Sequence, residues 1–281
     1  STAITLTVDT VAPIAPVITK FELGASKPTI SGSAEANTTL IFYNASDNSE
    51  LFRAVVNGDG IWSVVPTNSL NTGANKIYAK IQDAAGNLSQ ATASITATKS
   101  TNSLIYDFSA IKTDLTITGL DIPNFSVSYI GGSGKDSVTG FGGNILTGGA
   151  GNDTFIYQAP SNSLASNYQT MTDFNVSGTD SIKIGHTIDA AKFFKASVAG
   201  TSAGLQSDLT AALSNIKINN QVQSFIQNCA ALVSITGTAS DAGTYVVIAN
   251  HTDTTPGFVA ASDTVIKVQN NANVTNSSFI V

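Results

Sequence analysis

The chain has 281 residues, enough for two domains. Charged residues make up 11%, the net charge is −6 and Arg53 is the single arginine, which excludes a basic surface for nucleic acid. No apolar run approaches the about 18 residues of a membrane-spanning helix, and the opening residues do not read as a secretory signal peptide. Ser, Thr, Asn, Ala and Gly dominate in their place, the composition of a β protein working outside the cell. The one Cys229 cannot close an internal disulfide. An extracellular chain so poor in cysteine needs another staple, and the excess of acidic residues suits one made of bound cations.

In chain order, Thr2–Thr10 reads T-A-I-T-L-T-V-D-T and Thr92–Ser100 reads T-A-S-I-T-A-T-K-S. Both have the alternation of a closing strand. Residues 1–10 are therefore expected to be the tail of a preceding, similar domain with its linker, and the chain a fragment of a longer tandem array. Ala12-Pro13-Ile14-Ala15-Pro16 breaks the pattern and restarts it. Between residues 11 and 98, short alternating runs follow at Val17–Phe21, Pro28–Gly32, Thr39–Tyr43, Leu51–Val56, Ile61–Val65, Lys76–Ile81 and Ala91–Ala97. Turn residues separate them at 44–48, 57–60, 71–75 and 84–87. This spacing predicts an immunoglobulin-like sandwich with the sole Trp62 in its core.

V-D-T-V-A-P-I-A-P (Val8–Pro16), S-G-S-A-E-A (Ser31–Ala36), G-D-G-I-W-S-V (Gly58–Val64) and D-A-A-G-N-L-S (Asp83–Ser89) together resemble bacterial Ig-like repeats of giant surface adhesins. In such a sandwich the loops holding Glu35, Asp83 and Asn87 return to the pole where the linker with Asp9 arrives. These four residues are a candidate calcium site that would stiffen the joint. The alternative is that Asp83 and Asn87 only shape a turn.

From residue 99 to 281 a second unit is expected. Leu104/Tyr106/Phe108, Leu115/Ile117 and Phe125/Val127/Tyr129 alternate as strands, with Asp107, Asp114 and Asp121 at turns or edges. The stretch Gly131–Tyr157 then reads G-G-S-G-K-D-S-V-T, G-F-G-G-N-I-L-T, G-G-A-G-N-D-T-F-I-Y. Glycines permit tight turns with uncovered carbonyls, an aspartate closes each turn with a hard oxygen, and an apolar residue then points inward. A flexible linker would not place Asp before an inward apolar residue twice in register.

The first and third pieces fit the nine-residue repeat of calcium-binding RTX proteins, which Gram-negative bacteria export by type I secretion. The resemblance implies a parallel β-roll with ligands from turns stacked two repeats apart. One calcium site is thus expected between Gly131, Gly132, Gly134, Asp136 and Gly148, Gly149, Gly151, Asp153. Gly131 and Gly148 are 17 positions apart, one short of two nonapeptides, so the middle piece has lost a residue. Asn144 stands near where its Asp belongs, and a second site on that side is in doubt.

M-T-D-F-N-V-S-G-T-D-S-I-K-I (Met171–Ile184) resembles the segment after the calcium roll in serralysin-type proteases, and makes Asp173 and Asp180 candidate ligands at the end of the roll. Ala190–Ala196 and Leu205–Asn215 read as short helices. Gln223–Ile226, Ala231–Ile235, Thr244–Ala249, Asp263–Val268 and Phe279–Val281 read as strands. T-Y-V-V-I-A-N-H-T-D (Thr244–Asp253) and S-D-T-V-I-K-V (Ser262–Val268) resemble the same family's terminal sandwich, and the ending N-S-S-F-I-V resembles type I secretion C-termini.

Catalytic patterns are missing. His186 and His251 read as isolated, with no zinc motif, no G-x-S-x-G elbow and no phosphate-binding loop. Cys229 reads as a small core residue. The whole is expected to be an all-β, non-enzymatic chain: an Ig-like β-sandwich, a short RTX β-roll, and a fused C-terminal β-sandwich with one or two short helices. The resemblance implies a calcium-stabilised C-terminal region of a large adhesin at the surface of a Gram-negative bacterium. Its partners would be the type I secretion machinery and cell-surface or matrix ligands. An S-layer or matrix subunit, and the export domain of a secreted hydrolase, are the alternatives.

Overall fold

In the computed structural model, which describes residues 8–24, 27–67, 69–122, 125–157, 159, 162–214, 216–218, 221–222, 225–251, 257–269 and 273–281, the seven alternating runs form β1 (Val17–Leu23), β2 (Pro28–Ser33), β3 (Thr39–Asn44), β4 (Glu50–Val55), β5 (Ile61–Val64), β6 (Gly73–Gln82) and β7 (Ile95–Lys99). β1, β2 and β5 make one antiparallel layer, and β7, β6, β3 and β4 the other. Trp62 is buried between them, edge-on to Phe42 with ring centroids 6.0 Å apart. Gly32 is its cross-strand partner, and a Cβ there would lie 2.7 Å from the indole. The glycine of S-G-S-A is what makes room for the tryptophan. Of the expected closing strand before residue 11, positions 2–7 lie outside the described residues, and 8–10 are exposed and not in a strand.

The roll follows as β8 (Ser103–Asp107), β9 (Thr116–Thr118), β10 (Ser126–Ile130), β11 (Ser137–Thr139), β12 (Ile145–Thr147), β13 (Thr154–Tyr157), β14 (Gln169–Met171) and β15 (Ser181–Ile184). Even-numbered strands stack in parallel in one layer and odd-numbered ones in the other, so each turn carries the chain across. The three-residue β9, β11 and β12 each turn one side chain inward, while β13, β14 and β15 each bury two. Ile117, Val138 and Leu146 fill the first three, and Phe155, Met171 and Ile182 continue the same row, all fully buried.

After the roll come β16 (Phe193–Ala199), α1 (Leu205–Leu213), a hairpin of β17 (Lys217–Ile218) and β18 (Gln221–Val222), then β19 (Ala230–Thr236), β20 (Gly243–Ile248), β21 (Thr264–Val268) and β22 (Phe279–Ile280). β21 pairs with β14, and β20, β19 and β16 extend that layer outward. The apolar run in β20 is buried on both faces. Val246 and Ile248 join the core of the roll, while Tyr245 and Val247 join a second core beneath α1 with Leu209, Leu213 and Val233. A strand covered on both sides loses polar alternation. Cys229 lies in this second core, where burial pushes its thiol up.

Three expectations need correction. Ala190–Ala196 is not a helix: a single 3-10 turn, Ala190–Lys192, capped by Asp189, leads straight into β16. Alternation of Phe194, Ala196 and Val198 on the second core, with a full parallel ladder to β19, outweighs the helical propensity of the alanines. In Gln223–Ile226, residues 223 and 224 lie outside the described residues, and Phe225 sits in the second core without being in a strand. The predicted Leu205–Asn215 helix ends at Leu213, and Asn215 lies outside the described residues. So do the last two residues of Thr244–Asp253.

Backbone ladders cross residues 99–102 in both layers. β7 pairs with β8, Thr96 opposite Asp107, and β1 pairs in parallel with β9, Lys20 opposite Thr116. The result is one eight-stranded sheet, β22-β15-β13-β11-β9-β1-β2-β5, facing a twelve-stranded one. A single apolar core runs between them from Ile18 to Val274. Phe21 of β1 packs on Tyr106 and Phe108 at 4.6 and 4.9 Å between ring centroids.

Candidate metal centre

Asp136, Asp153 and Asp180 each stand immediately before a strand of one layer. The ladder pairs Ser137 with Thr154 and Thr154 with Ser181, so the three carboxylates form a column along one edge of the roll. Each reaches back one turn. Asp136 Oδ1 accepts from Leu115 N–H (2.9 Å), Asp153 Oδ1 from Asp136 N–H (2.8 Å) and Asp180 Oδ1 from Asp153 N–H (2.9 Å). Asp136 Oδ2 accepts from Gly132 N–H and Asp180 Oδ2 from Asn175 N–H, both at 2.6 Å. Asp153 Oδ2 is buried and has no hydrogen-bond partner. Asp173 spans the next turn, accepting from Gly148 N–H (2.9 Å) and Gly149 N–H (2.8 Å).

The glycines form the walls. A Cβ on Gly131 would fall 2.1 Å from Gly148 O, on Gly132 2.1 Å from Ile111 O, and on Gly148 2.4 Å from Asp153 Oδ2. On Gly134 it would meet the Thr113–Asp114 peptide, and on Gly151, Gly134 O at 2.1 Å. Gly149 adds a left-handed φ of 97° to a Cβ clash of 2.2 Å with Gly132 O. Only bare backbone lets these turns stack so closely.

The electrostatics follow from the stacking. Burial, then the charges of Asp180, Asp136 and Asp173, push the Asp153 carboxyl up to about 7. Burial also raises Asp136 and Asp180. No ion pair reaches this column among the described residues. Nor, among them, does any group of three or more Asp, Glu, His or Cys side chains gather as a metal cluster. A cation here would take carboxylate oxygen plus backbone carbonyl, of which Gly132 O already accepts from Ala150 N–H (2.9 Å) and Gly149 O from the Ser177 hydroxyl (2.7 Å). The orphaned Asp153 Oδ2 and a donor set made of oxygen alone fit a hard divalent ion.

The opposite edge mixes amides with one carboxylate: a Cβ on Gly142 would fall 2.6 Å from both Asn167 Nδ2 and Asp121 Oδ1. Asn144 is buried and closes its own turn, accepting from Phe141 N–H (2.9 Å). Gln169 Nε2 donates to Asn162 O (2.6 Å) and Asn162 Nδ2 to Gly140 O (3.2 Å).

At the pole of the sandwich, Asn87 draws the linker in. Its Nδ2 donates to Asp83 Oδ2 (2.9 Å) and to Asp9 O (3.2 Å), and its N–H to Asp83 Oδ1 (2.8 Å). The bond from the Asn87 side chain is the main cause holding the Asp83 carboxyl below its ordinary range. Asp9 Oδ1 accepts from Val11 N–H. Glu35 meets none of these by a hydrogen bond among the described residues; its carbonyl takes the Thr38 hydroxyl.

His251 is not isolated. Its Nδ1 lies 2.7 Å from Asp263 Oδ1, both side chains almost wholly buried. Asp263 also accepts from Asn250 N–H and Val259 N–H, which ties the two sides of the loop between β20 and β21. A separation of twelve positions hid this pair, since only the antiparallel register of β20 and β21 juxtaposes it.

Two family models match. Residues 107–247, just over half of the chain, match the model described as peptidase M10 serralysin C terminal. Residues 23–98 match a bacterial Ig-like domain. No curated protein matches the chain.

Proposed function

For a chain that belongs to the peptidase M10 serralysin C-terminal family, we propose the role of calcium-stabilised C-terminal region of a large, type I secreted adhesin at a Gram-negative cell surface. The Ig-like unit, residues 11–98, would serve as a spacer, and residues 99–281 as the export and folding unit. The observation that carries the calcium reading is the stacked Asp136–Asp153–Asp180 column with its unpartnered Asp153 Oδ2. Calcium would supply the positive charge that this column lacks. Asp136, Asp153 and the carbonyls of Gly131, Gly132, Gly134, Gly148, Gly149 and Gly151 would hold it, with Asp173 and Asp180 closing the end of the stack. Until a cation arrives, like charges oppose the stacking of turns. Low calcium inside the cell would keep the chain loose enough to thread an export channel, and millimolar calcium outside would lock it.

The region itself would carry no catalysis, and its partners would be the secretion machinery and cell-surface or matrix ligands. The Ig-like match supports the adhesin reading, since tandem spacers suit a surface fibre. The serralysin-type match keeps a second reading, the export domain of a hydrolase whose catalytic part lies elsewhere. The sequence preceding residue 1 in the gene separates them: Ig-like repeats support the adhesin, a catalytic domain the hydrolase. The calcium reading is tested by melting the full chain in EDTA and in millimolar calcium; superimposable melts would refute it.

A further inference from the structure

On the far face of the twelve-stranded sheet two more carboxylates meet. Asp208 lies in the first turn of α1 and is buried. Its oxygens accept from the Thr201 hydroxyl (2.6 Å) and the Thr201 N–H (2.8 Å), contacts that hold its carboxyl below the ordinary range. Asp241 lies in the turn joining β19 to β20 and is 7% exposed. Both of its carboxylate oxygens are shielded from solvent and neither has a hydrogen-bond partner. The Asp241 carboxyl stands near enough to Asp208 to act on its titration, an influence weaker than that of Thr201.

The surrounding backbone holds them there. Gly200 N–H donates to Thr236 O (2.7 Å), and a Cβ on Gly200 would fall 2.8 Å from Ala239 Cβ, so the segment leading to α1 packs on the β19–β20 turn. The Tyr245 hydroxyl donates to the Asp241 carbonyl (2.7 Å). Lys267 reaches the same turn, but its ammonium contacts Ala242 O (3.4 Å) and lies 5.6 Å from the centroid of the Tyr245 ring. No ion pair joins it to either carboxylate among the described residues.

A buried carboxylate without a donor, set against a second one, requires a neutralising partner between them. We propose that Asp208 and Asp241 bind a calcium ion, at a site separate from the roll that clamps α1 to the β19–β20 turn. The side-chain donors are oxygen only, which selects a hard cation. Magnesium dehydrates reluctantly and keeps several waters, whereas calcium accepts backbone carbonyls in an irregular shell. With only two carboxylates on offer, a shell completed by backbone carbonyls favours calcium. Its effect would be to close the second core, since α1 covers Val233 and Val247.

Equilibrium dialysis of the full chain counts the bound ions. Asp208→Asn and Asp241→Asn should each bind one calcium fewer than wild type. Asp153→Asn, altered in the roll, should lose a different one, and Asp153→Asn with Asp241→Asn should lose both. If the roll reading fails, Asp153→Asn alone shows no loss and the Asp241→Asn loss stands. Should the Asp208 and Asp241 variants fail to fold, terbium luminescence excited through tyrosine is read on the Asp153→Asn chain, because Tyr245 is bonded to the Asp241 backbone. A signal that calcium displaces is expected. Counts unchanged in both Asp208→Asn and Asp241→Asn, or no such signal in Asp153→Asn, overturn the proposal and leave a shared proton as the neutralising partner.

Discussion

Asp153 is the residue on which the roll turns. Its folded carboxyl, raised from 3.8 to about 7 chiefly by burial, holds its proton more tightly than the unfolded one. The stability this contributes is fully present below about pH 4 and is lost as pH rises through about 7. Asp136 and Asp180 shift in the same direction. In EDTA the protein should therefore melt at a higher temperature at pH 5 than at pH 8, and Asp153→Asn should flatten that slope; a metal-free melt that rises with pH contradicts this. With free calcium about 100-fold above its dissociation constant, one site adds about 2.7 kcal/mol. Asp153→Asn should forfeit that increment in calorimetry. At the sandwich pole, Asp83→Ala removes the anchor of an exposed turn. The melting temperature of the sandwich should stay nearly unchanged, while the linker at Asp9 loosens, as read by hydrogen exchange at Val11.

At the scale of elements, two glycines with nearly the same backbone angle separate strain from stacking. Gly86 has φ 94° and Gly149 φ 97°, but a Cβ on Gly86 meets open space while one on Gly149 meets Gly132 O. Gly86→Ala should cost the left-handed penalty alone, about 1–2 kcal/mol. Gly149→Ala should add about 1–3 kcal/mol of overpacking and blunt the response to calcium. Equal melts for the two variants would mean that the turns are not in contact. The same contrast explains why Gly131–Tyr157 was readable as a stack. Its glycines, aspartates and inward apolar residues recur locally, within one strand-turn unit. β16 was misread because two phenylalanines and two alanines in seven residues suit a helix as well as a strand. Only β19 alongside it decides between them.

For the molecule as a whole, the paired sheets mean that the Ig-like unit and the roll share one core through Phe21, Tyr106, Phe108 and Tyr129. Loss of order in the roll should propagate into the sandwich. Trp62, far along the same sheets, reports it without a label. Chelation should lower the midpoint of the Trp62 fluorescence transition together with that of far-ultraviolet circular dichroism. A Trp62 transition indifferent to EDTA would show that the units unfold independently. Phe21→Ala should cost about 3–5 kcal/mol and shift both probes together.

Local chemistry settled much of this in the sequence alone. Alternation with turn residues predicts the strands of the sandwich, Trp62 requires burial, and the 17-residue interval from Gly131 to Gly148 predicts that Asp136 and Asp153 lie in successive turns on one edge. These depend on φ, side-chain period and size, which neighbouring residues determine. Pairings between distant segments were decided only by the tertiary structure. β1 lies beside β9 across almost a hundred residues, Asp180 joins the column because β15 stacks on β13, and Gln169 and Asn162 tie the turns of the opposite edge together. His251 finds Asp263, and Asp208 finds Asp241, through the same sheet. No periodicity marks such contacts, because each partner carries an ordinary polar residue whose meaning depends on what the packed core brings opposite it.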